Sequence, residues 1–382
     1  MIRVLADDLT GAAELAGMAM QHGLETKLSM LVHPIAAADV LVYCTDSRSL
    51  GLQAALAVTE NFVRTLQPST NEIFYKKTDS VLRGHVVEEL VLQMKLLGFQ
   101  RVLFIPCNPS MGRIIRDGLY FINDQLLSET SFAHDPEFPQ HSASVHEMLS
   151  GKGMDVHVLK ADQALPETGI IVGEAICIAD LEQWVSRIDG TMMLAGGGDF
   201  FQALLDQQFG PPCVEKLLQL KSPFLYVSGT TFQSAQAMIR SVSEVPDLVH
   251  FIGMEELSVK GLDAWIGRLL HNLEQKQVAI IAFDPAMASS THFTALELRQ
   301  KMAGIVRSCM SAMSAGEIFI EGGSTAQAIL QALDIPYWIP DTLMGRGMVR
   351  LTDPTNQYHV AVKPGSYPLP DAIKKMLSST LQ

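Results

Sequence analysis

Short apolar runs recur along the chain, each closed by Gly, Asp, Ser or Thr and followed by a longer segment whose apolar positions return with helical spacing. The first begins at once: Ile2, Val4 and Leu5 read as a buried strand. Asp7-Asp8-Leu9-Thr10-Gly11 breaks it, and Ala12 to Met20 reads as a helix. Val40 to Cys44 then ends in Thr45-Asp46-Ser47-Arg48, with a helix expected from Gly51 to Leu66. Ile73 to Tyr75 runs into Lys76-Lys77-Thr78-Asp79-Ser80-Val81-Leu82-Arg83-Gly84, and a helix is expected from His85 to Leu97. After a strand at Val102 to Ile105, the stretch from Pro106 to Gln140 is rich in Pro and Gly and reads as a long irregular loop, the kind that is usually functional. Shorter strands are expected at Val156 to Leu159, Ile170 to Val172 and Met192 to Ala195, the last entering Gly196-Gly197-Gly198 and a helix from Asp199.

Gly210-Pro211-Pro212 interrupts this rhythm, and the pattern restarts beyond it. Phe224 to Val227 closes in Ser228-Gly229-Thr230-Thr231, with a helix reaching Val242. Val278 to Phe283 precedes a long helix from about Phe293 to Met313. Ile318 to Ile320 enters Glu321-Gly322-Gly323-Ser324-Thr325 before a helix over Ala326 to Leu333. Tyr358 to Val362 enters Lys363-Pro364-Gly365-Ser366 before a last helix from Pro370. Alternation of this kind predicts an α/β fold with mainly parallel sheets. At 382 residues the chain is long for one core, so two three-layer domains are expected, 1–212 and 213–382, with an active site in the cleft between them.

Composition sharpens this. With 48% hydrophobic and 18% charged residues and no biased tract, the chain reads as soluble and globular. A net charge of −13 argues against a nucleic-acid partner, though not against a small anion, which feels only a local patch. Cys44, Cys107, Cys177, Cys213 and Cys309 are widely spaced and odd in number, which argues against a disulfide framework or a metal site and suits the cytoplasm. Each is expected to be a small buried hydrophobe. No signal peptide is evident, and no apolar run approaches the length of a membrane span.

The polar strand ends carry the chemistry. In the first half they offer Asp7 and Asp8, then Asp46 and Arg48, then Lys76, Lys77, Asp79, Ser80 and Arg83. Arg presents a fork suited to carboxylates, Lys a point charge, and Asp accepts from or deprotonates a hydroxyl. Neighbouring strand ends share a crevice, so the set points to a polyhydroxy-acid site; helix caps and surface ion pairs are the alternative for any one residue. In the second half, Ser228-Gly229, Gly322-Gly323-Ser324-Thr325 and Lys363-Pro364-Gly365-Ser366 follow strands with glycines that let backbone amides approach a ligand, favouring a nucleotide phosphate site over three ordinary caps. There is no P-loop, no G-x-G-x-x-G after a strand, no G-x-S-x-G and no zinc-protease helix at His146-Glu147.

Together, Ala6-Asp7-Asp8-Leu9-Thr10-Gly11-Ala12, Thr45-Asp46-Ser47-Arg48 and Lys76-Lys77-Thr78-Asp79-Ser80-Val81-Leu82-Arg83-Gly84 resemble the four-carbon acid sugar kinases, the family of D-threonate, D-erythronate and 3-oxo-tetronate kinases. The resemblance continues through Pro109, Gly112, Arg113, Gly118 and Asp135-Pro136 to the Gly322-Gly323 and Lys363-Pro364-Gly365 loops, covering essentially the whole chain. Ser324 stands where the family usually has an acidic residue, Lys363-Pro364-Gly365-Ser366-Tyr367 replaces its Lys-Ser-Gly-x-Phe-Gly pattern, and Thr230-Thr231 replaces a Ser-Cys-type turn. The resemblance implies an N-terminal acid-sugar domain, a C-terminal nucleotide domain and transfer of the ATP γ-phosphoryl to a terminal hydroxyl with Mg²⁺. Carried over by position, the substrate would meet Asp8, Arg48 and Lys77 to Ser80, with Asp7 and Arg83 beside them. ATP would meet Ser228, Gly229, Gly322 to Thr325 and Lys363 to Ser366. No protein metal ligand is assigned, and a homodimer is left open.

On this reading Arg48 and Lys77 hold the sugar-acid carboxylate, Asp8 takes the hydroxyl proton and Asp79 orients the sugar, or the two aspartates exchange roles. Two other functions compete. A haloacid-dehalogenase-type phosphatase needs an Asp two residues before a second Asp, and Ala6 or Leu9 occupies the required position. A non-catalytic sugar-acid sensor would bind tetronates without ATP.

Overall fold

The computed structural model describes residues 1–67, 72–135, 137–214, 216, 218–230, 233–257, 262–285, 287, 293–313, 316–345, 347–365 and 367–379. Pro136, Thr231 and Ser366 of the motifs above lie outside the described residues. The chain divides into two units, Met1–Val214 and Glu215–Gln382. Both are mixed α/β, with mainly parallel sheets.

The first unit carries β1 (Ile2–Ala6), β2 (Thr26–Ser29), β3 (Val40–Cys44), β4 (Ile73–Lys77), β5 (Arg101–Ile105), β6 (Arg113–Arg116), β7 (Leu119–Ile122), β8 (Gln125–Leu126), β9 (Val156–Leu159), β10 (Gly169–Gly173) and β11 (Met192–Gly196). Its helices are α1 (Leu9–Gln21), α2 (Leu52–Leu66), α3 (Val86–Leu97), α4 (Val145–Leu149), α5 (Ile178–Ser186) and α6 (Gly198–Phe209). Eight strands form one sheet in the order β2-β3-β1-β4-β11-β5-β10-β9, and every pairing in it is parallel. Central parallel strands are covered on both faces, which is why Val40–Cys44 is buried at every position and reads as an unbroken apolar run. The chain passes from β3 on one side of β1 to β4 on the other, so the ends of these three strands bracket a topological switch point.

Two expectations need correction here. The stretch from Pro106 to Gln140 is not irregular: β6, β7 and β8 fold it into an antiparallel three-stranded sheet. Backbone bonds tie this small sheet down, from Ile115 N–H to the Ala175 carbonyl at 3.1 Å and from Tyr120 N–H to the Ala143 carbonyl at 2.8 Å. Nor are all the cysteines buried: Cys177 and Cys213 are exposed, both outside the strands where an apolar neighbourhood would cover them.

The second unit carries β12 (Phe224–Ser228), β13 (Val249–Ile252), β14 (Val278–Phe283), β15 (Gly316–Glu321), β16 (Ile339–Gly345), β17 (Met348–Thr352) and β18 (Tyr358–Lys363). Its helices are α7 (Gln233–Val242), α8 (Leu262–Lys276), α9 (Ala295–Ala312), α10 (Gly323–Ala332) and α11 (Asp371–Ser379). The sheet order is β13-β14-β12-β15-β18-β17-β16, parallel as far as β18 and antiparallel through β17 and β16. Phe224, Tyr226, Ile280 and Phe319 form its core with Leu248 and Ile373, and the Tyr226 and Phe319 rings stack at 5.3 Å. No helix among the described residues is long and apolar enough to cross a membrane.

Candidate active site

The strand ends that the motifs singled out in the first unit do converge. Arg48, just past β3, donates from Nε and Nη2 to both oxygens of Asp7 at 3.0 and 2.8 Å, and from Nη2 to Asp8 at 2.7 Å. Its Nη1 lies 3.6 Å from Asp79, past the end of β4. One guanidinium is thus ringed by three aspartates from two strand ends. Local geometry explains each placement. Asp8 caps α1, in extended conformation, with its carboxylate accepting from Gly11 N–H at 3.1 Å and from the Thr10 hydroxyl. Gly11 leaves room for Asp8 and Lys77: a Cβ there would lie 2.7 Å from Asp8 Oδ1 and 2.9 Å from Lys77 Nζ and would push one of these groups aside. Asp79 Oδ2 accepts the backbone N–H groups of Val81 and Arg83 at 3.1 and 3.2 Å, closing the turn after β4.

The two lysines of this strand part company. Side chains alternate along a strand, and Lys76 is sent to the opposite face, where it pairs in the interior with Glu89 of α3. Lys77 remains at the crevice, donating to the Thr78 carbonyl at 3.0 Å with Glu14 at 3.8 Å. Arg83 grips Asp79 with two bonds of 3.0 and 2.9 Å and reaches Asp135 at 3.2 Å. Thr78 and Ser80 are buried, whereas Asp46 is exposed and stands outside the ring.

Electrostatics separates the two candidate bases. Burial pushes the Asp8 carboxyl up, but Arg48, Lys77 and the Thr10 hydroxyl outweigh it and hold it below the usual 3.8. Asp79 is held well below it too, because Arg48 and Arg83 together overwhelm its burial. Its side chain is 7% exposed against 20% for Asp8, so Asp8 is the carboxylate with an open edge.

The small β6–β8 sheet adds groups that the strand-end motifs did not identify as site residues. Arg113 Nη1 donates to the Ser80 hydroxyl and the Tyr120 hydroxyl donates to the Ser80 carbonyl. Phe132 lies under both Arg83 and Arg113, at 5.5 and 5.9 Å. The Gly-Arg pair at 112–113 was the available sequence signal, but nothing in it said that the hairpin folds back onto Ser80.

In the second unit, β12, β15 and β18 are neighbours, so their end loops are brought together. Gly229 N–H donates to the Glu321 carbonyl at 3.0 Å and Gly322 N–H to the Lys363 carbonyl at 2.9 Å. Gly322 has φ +114°, and a Cβ on Gly229 would sit 2.0 Å from the Thr325 hydroxyl, so both positions exclude a side chain. Helix α10 starts at Gly323, earlier than the expected Ala326, so the amides of its first turn lie within the Gly322–Thr325 motif. Ser324 is exposed there, and Thr325 is buried with its hydroxyl donating to the Gly229 carbonyl at 3.4 Å. Lys363 is buried, donating to Glu321 at 2.6 Å and to the Pro364 carbonyl at 3.0 Å, while Tyr226 holds the other Glu321 oxygen. Its charge therefore fixes the loop that contains Gly365. Beside Ser228, Gly229 and Thr230 opens a cavity of about 120 Å³, lined by Ile239, Phe251, Phe283 and Met287 with Gln236 and Arg240. Among the described residues no group of three or more His, Cys, Asp or Glu is arranged to hold a metal.

The chain is similar to known proteins in sequence and in fold. A family model described as the sugar-binding N-terminal domain matches residues 2–198. The D-threonate kinase of Bordetella bronchiseptica is 33% identical over 156 residues, 39% of this chain and 38% of that protein. The D-threonate kinase of Salmonella typhimurium is 26% identical over 371 residues, 86% of each chain. The 3-oxo-tetronate kinase of Pseudomonas fluorescens is 22% identical over 371 residues, 88% of this chain and 86% of that one. A solved Salmonella typhimurium structure shares the fold with a TM-score of 0.80 at 17% identity, covering 100% of this chain and 98% of that one.

Proposed function

This chain belongs to the sugar-binding N-terminal domain family, whose named relatives are kinases of four-carbon sugar acids, and on that premise we propose that it transfers the γ-phosphoryl of ATP to a terminal hydroxyl of a tetronate. The single observation that carries this reading is the ring of Asp7, Asp8 and Asp79 around Arg48 at adjacent strand ends, with Lys77 alongside. Phosphoryl transfer needs little covalent help; it needs alignment and compensating charge.

In this mechanism the sugar hydroxyl attacks the γ-phosphorus, its O–P bond forms as the β,γ-bridging P–O bond breaks, and ADP departs. The hydroxyl proton goes to Asp8, the aspartate with the open edge. A carboxylate held ionised accepts that proton late in a loose transition state. On this reading Arg48 fixes the aspartates, its fork taken up by Asp7 and Asp8. Asp79, anchored by two backbone amides and Arg83, orients the sugar. Lys77 offsets the charge developing near Asp8.

ATP is assigned to the second unit. The α10 amino end and the Gly229 and Gly365 loops receive its phosphates, and the apolar cavity beside Ser228 receives the purine. Mg²⁺ brought in with the triphosphate would supply compensating charge for the moving phosphoryl group. The five cysteines, none of them in a disulfide, suit the cytoplasm, the compartment this reading assigns.

An ATP-consumption screen over threonate, erythronate and their 3-oxo and branched relatives tests the proposal. ADP release with at least one of them is the expected result. Tetronate binding with no ATP binding would favour the sensor instead.

A further inference from the structure

Among the described residues, every guanidinium at the proposed acid-sugar crevice but one is engaged by a carboxylate. Arg48 holds Asp7 and Asp8; Arg83 holds Asp79 and Asp135. Arg113 is the exception: among the described residues it forms no ion pair, and one nitrogen donates to the Ser80 hydroxyl. Lys77 has Glu14 at 3.8 Å. A site that recognises an anion needs positive charge that the protein has not already cancelled, on donors set in a fixed direction.

Arg113 meets both conditions. It opens β6, its strand is bonded along β7, and its guanidinium lies 5.9 Å from the centre of the Phe132 ring, which limits its rotation. Its partner Ser80 directly follows Asp79, and Asp79 faces the same Arg48 that holds Asp8. The unpaired fork and the base are therefore linked through one short chain of contacts. A molecule that carries both a hydroxyl and a carboxylate has a partner for each, whereas a neutral polyol leaves the fork unanswered.

We propose that Arg113, with the Ser80 hydroxyl, binds the substrate carboxylate and makes the β6–β8 hairpin the element that selects sugar acids over neutral sugars. This deepens the function proposed above and rests on it. The role is one of binding and specificity; Arg113 takes no part in proton transfer.

The test uses the full chain and calorimetric binding without nucleotide, comparing the tetronate that the screen selects, or D-threonate if it selects none, with its neutral primary amide. Arg113→Met is expected to weaken tetronate binding by about 10- to 100-fold, the range for a lost charge-assisted pair, while amide binding is unchanged. Arg113→Lys, which keeps the charge without the fork, should retain part of the preference for the acid; it also decides the matter if Arg113→Met melts early. Equal losses for acid and amide, or none for either, would make Arg113 a structural latch and overturn the inference. The two readings fail separately. Tetronate binding that depends on Arg113 without ATP consumption keeps the carboxylate site and removes the kinase. ATP consumption on tetronates that ignores Arg113→Met keeps the kinase and removes the carboxylate site. No tetronate binding by the unaltered protein removes both.

Discussion

At the ends of β1, β3 and β4 charged side chains gather, whereas the loops at the ends of β12, β15 and β18 are shaped by glycines, and we propose that the first set meets substrate through side chains and the second through backbone amides. The first crevice holds its aspartates in place by mutual charge: Arg48 sits among Asp7, Asp8 and Asp79, and Arg83 doubles the hold on Asp79. The second keeps its one lysine inward, against Glu321, and leaves the helix end open. A site for a small acid must distinguish one hydroxylated anion from another, which takes directed side chains. A triphosphate presents many equivalent oxygens, and a curved row of N–H groups suffices. Substitutions that alter ligand binding should therefore act through charge in one crevice and through backbone shape in the other.

The largest effect is expected at Asp8. Asp8→Asn should lower kcat by about 10²- to 10⁴-fold, with tetronate affinity nearly unchanged. Calorimetry alongside initial rates separates the two, and unaltered turnover would remove Asp8 as the base. Next, Lys363→Met strands Glu321 in a buried position, a change that typically costs about 3–5 kcal/mol. Denaturant unfolding should show the loss, and adding Glu321→Gln should restore much of it. If Lys363 instead contacted phosphate directly, ATP affinity would fall while stability held.

Gly322→Ala forces a side chain onto φ +114° and should strain the loop by about 1–3 kcal/mol. The KM for ATP should rise about tenfold with tetronate binding intact, read by varying each substrate in turn. The smallest effect expected concerns pH. Asp8 and Asp79 are both held below the ordinary aspartate value, so each contributes stability that is complete above it and lost as pH falls through the lower folded value. Neither should titrate above about pH 5, and kcat/KM should show no acidic limb from Asp8 there. A limb near neutrality that vanished in Asp8→Asn would contradict this.

The sequence made the first crevice easier to read than the second for a physical reason. Asp7, Asp8, Arg48 and Lys77 to Ser80 are chemically distinctive and lie at the ends of apolar strands, so pattern and parallel topology together predict their meeting. Which charge faces which is set by side-chain direction and remained hidden: adjacent Lys76 and Lys77 look alike in sequence, yet alternation sends one to Glu89 and leaves the other at the site. Strand β2 escaped detection because Thr26 and Lys27 break its apolar pattern, and β6–β8 because Pro and Gly in the same stretch mark a loop as readily as a hairpin. In the second crevice the informative quantities are a positive φ at Gly322 and the close packing of Gly229 on Thr325, which no residue type announces.

Hydrogen–deuterium exchange on the full chain, with a tetronate alone and with ADP alone, tests the division of labour most directly. The tetronate is expected to slow exchange over residues 7–12, 45–48 and 77–83, and ADP over 228–230, 322–326 and 363–365. ADP protection at the Asp8 turn with none at the Gly322 turn would contradict it.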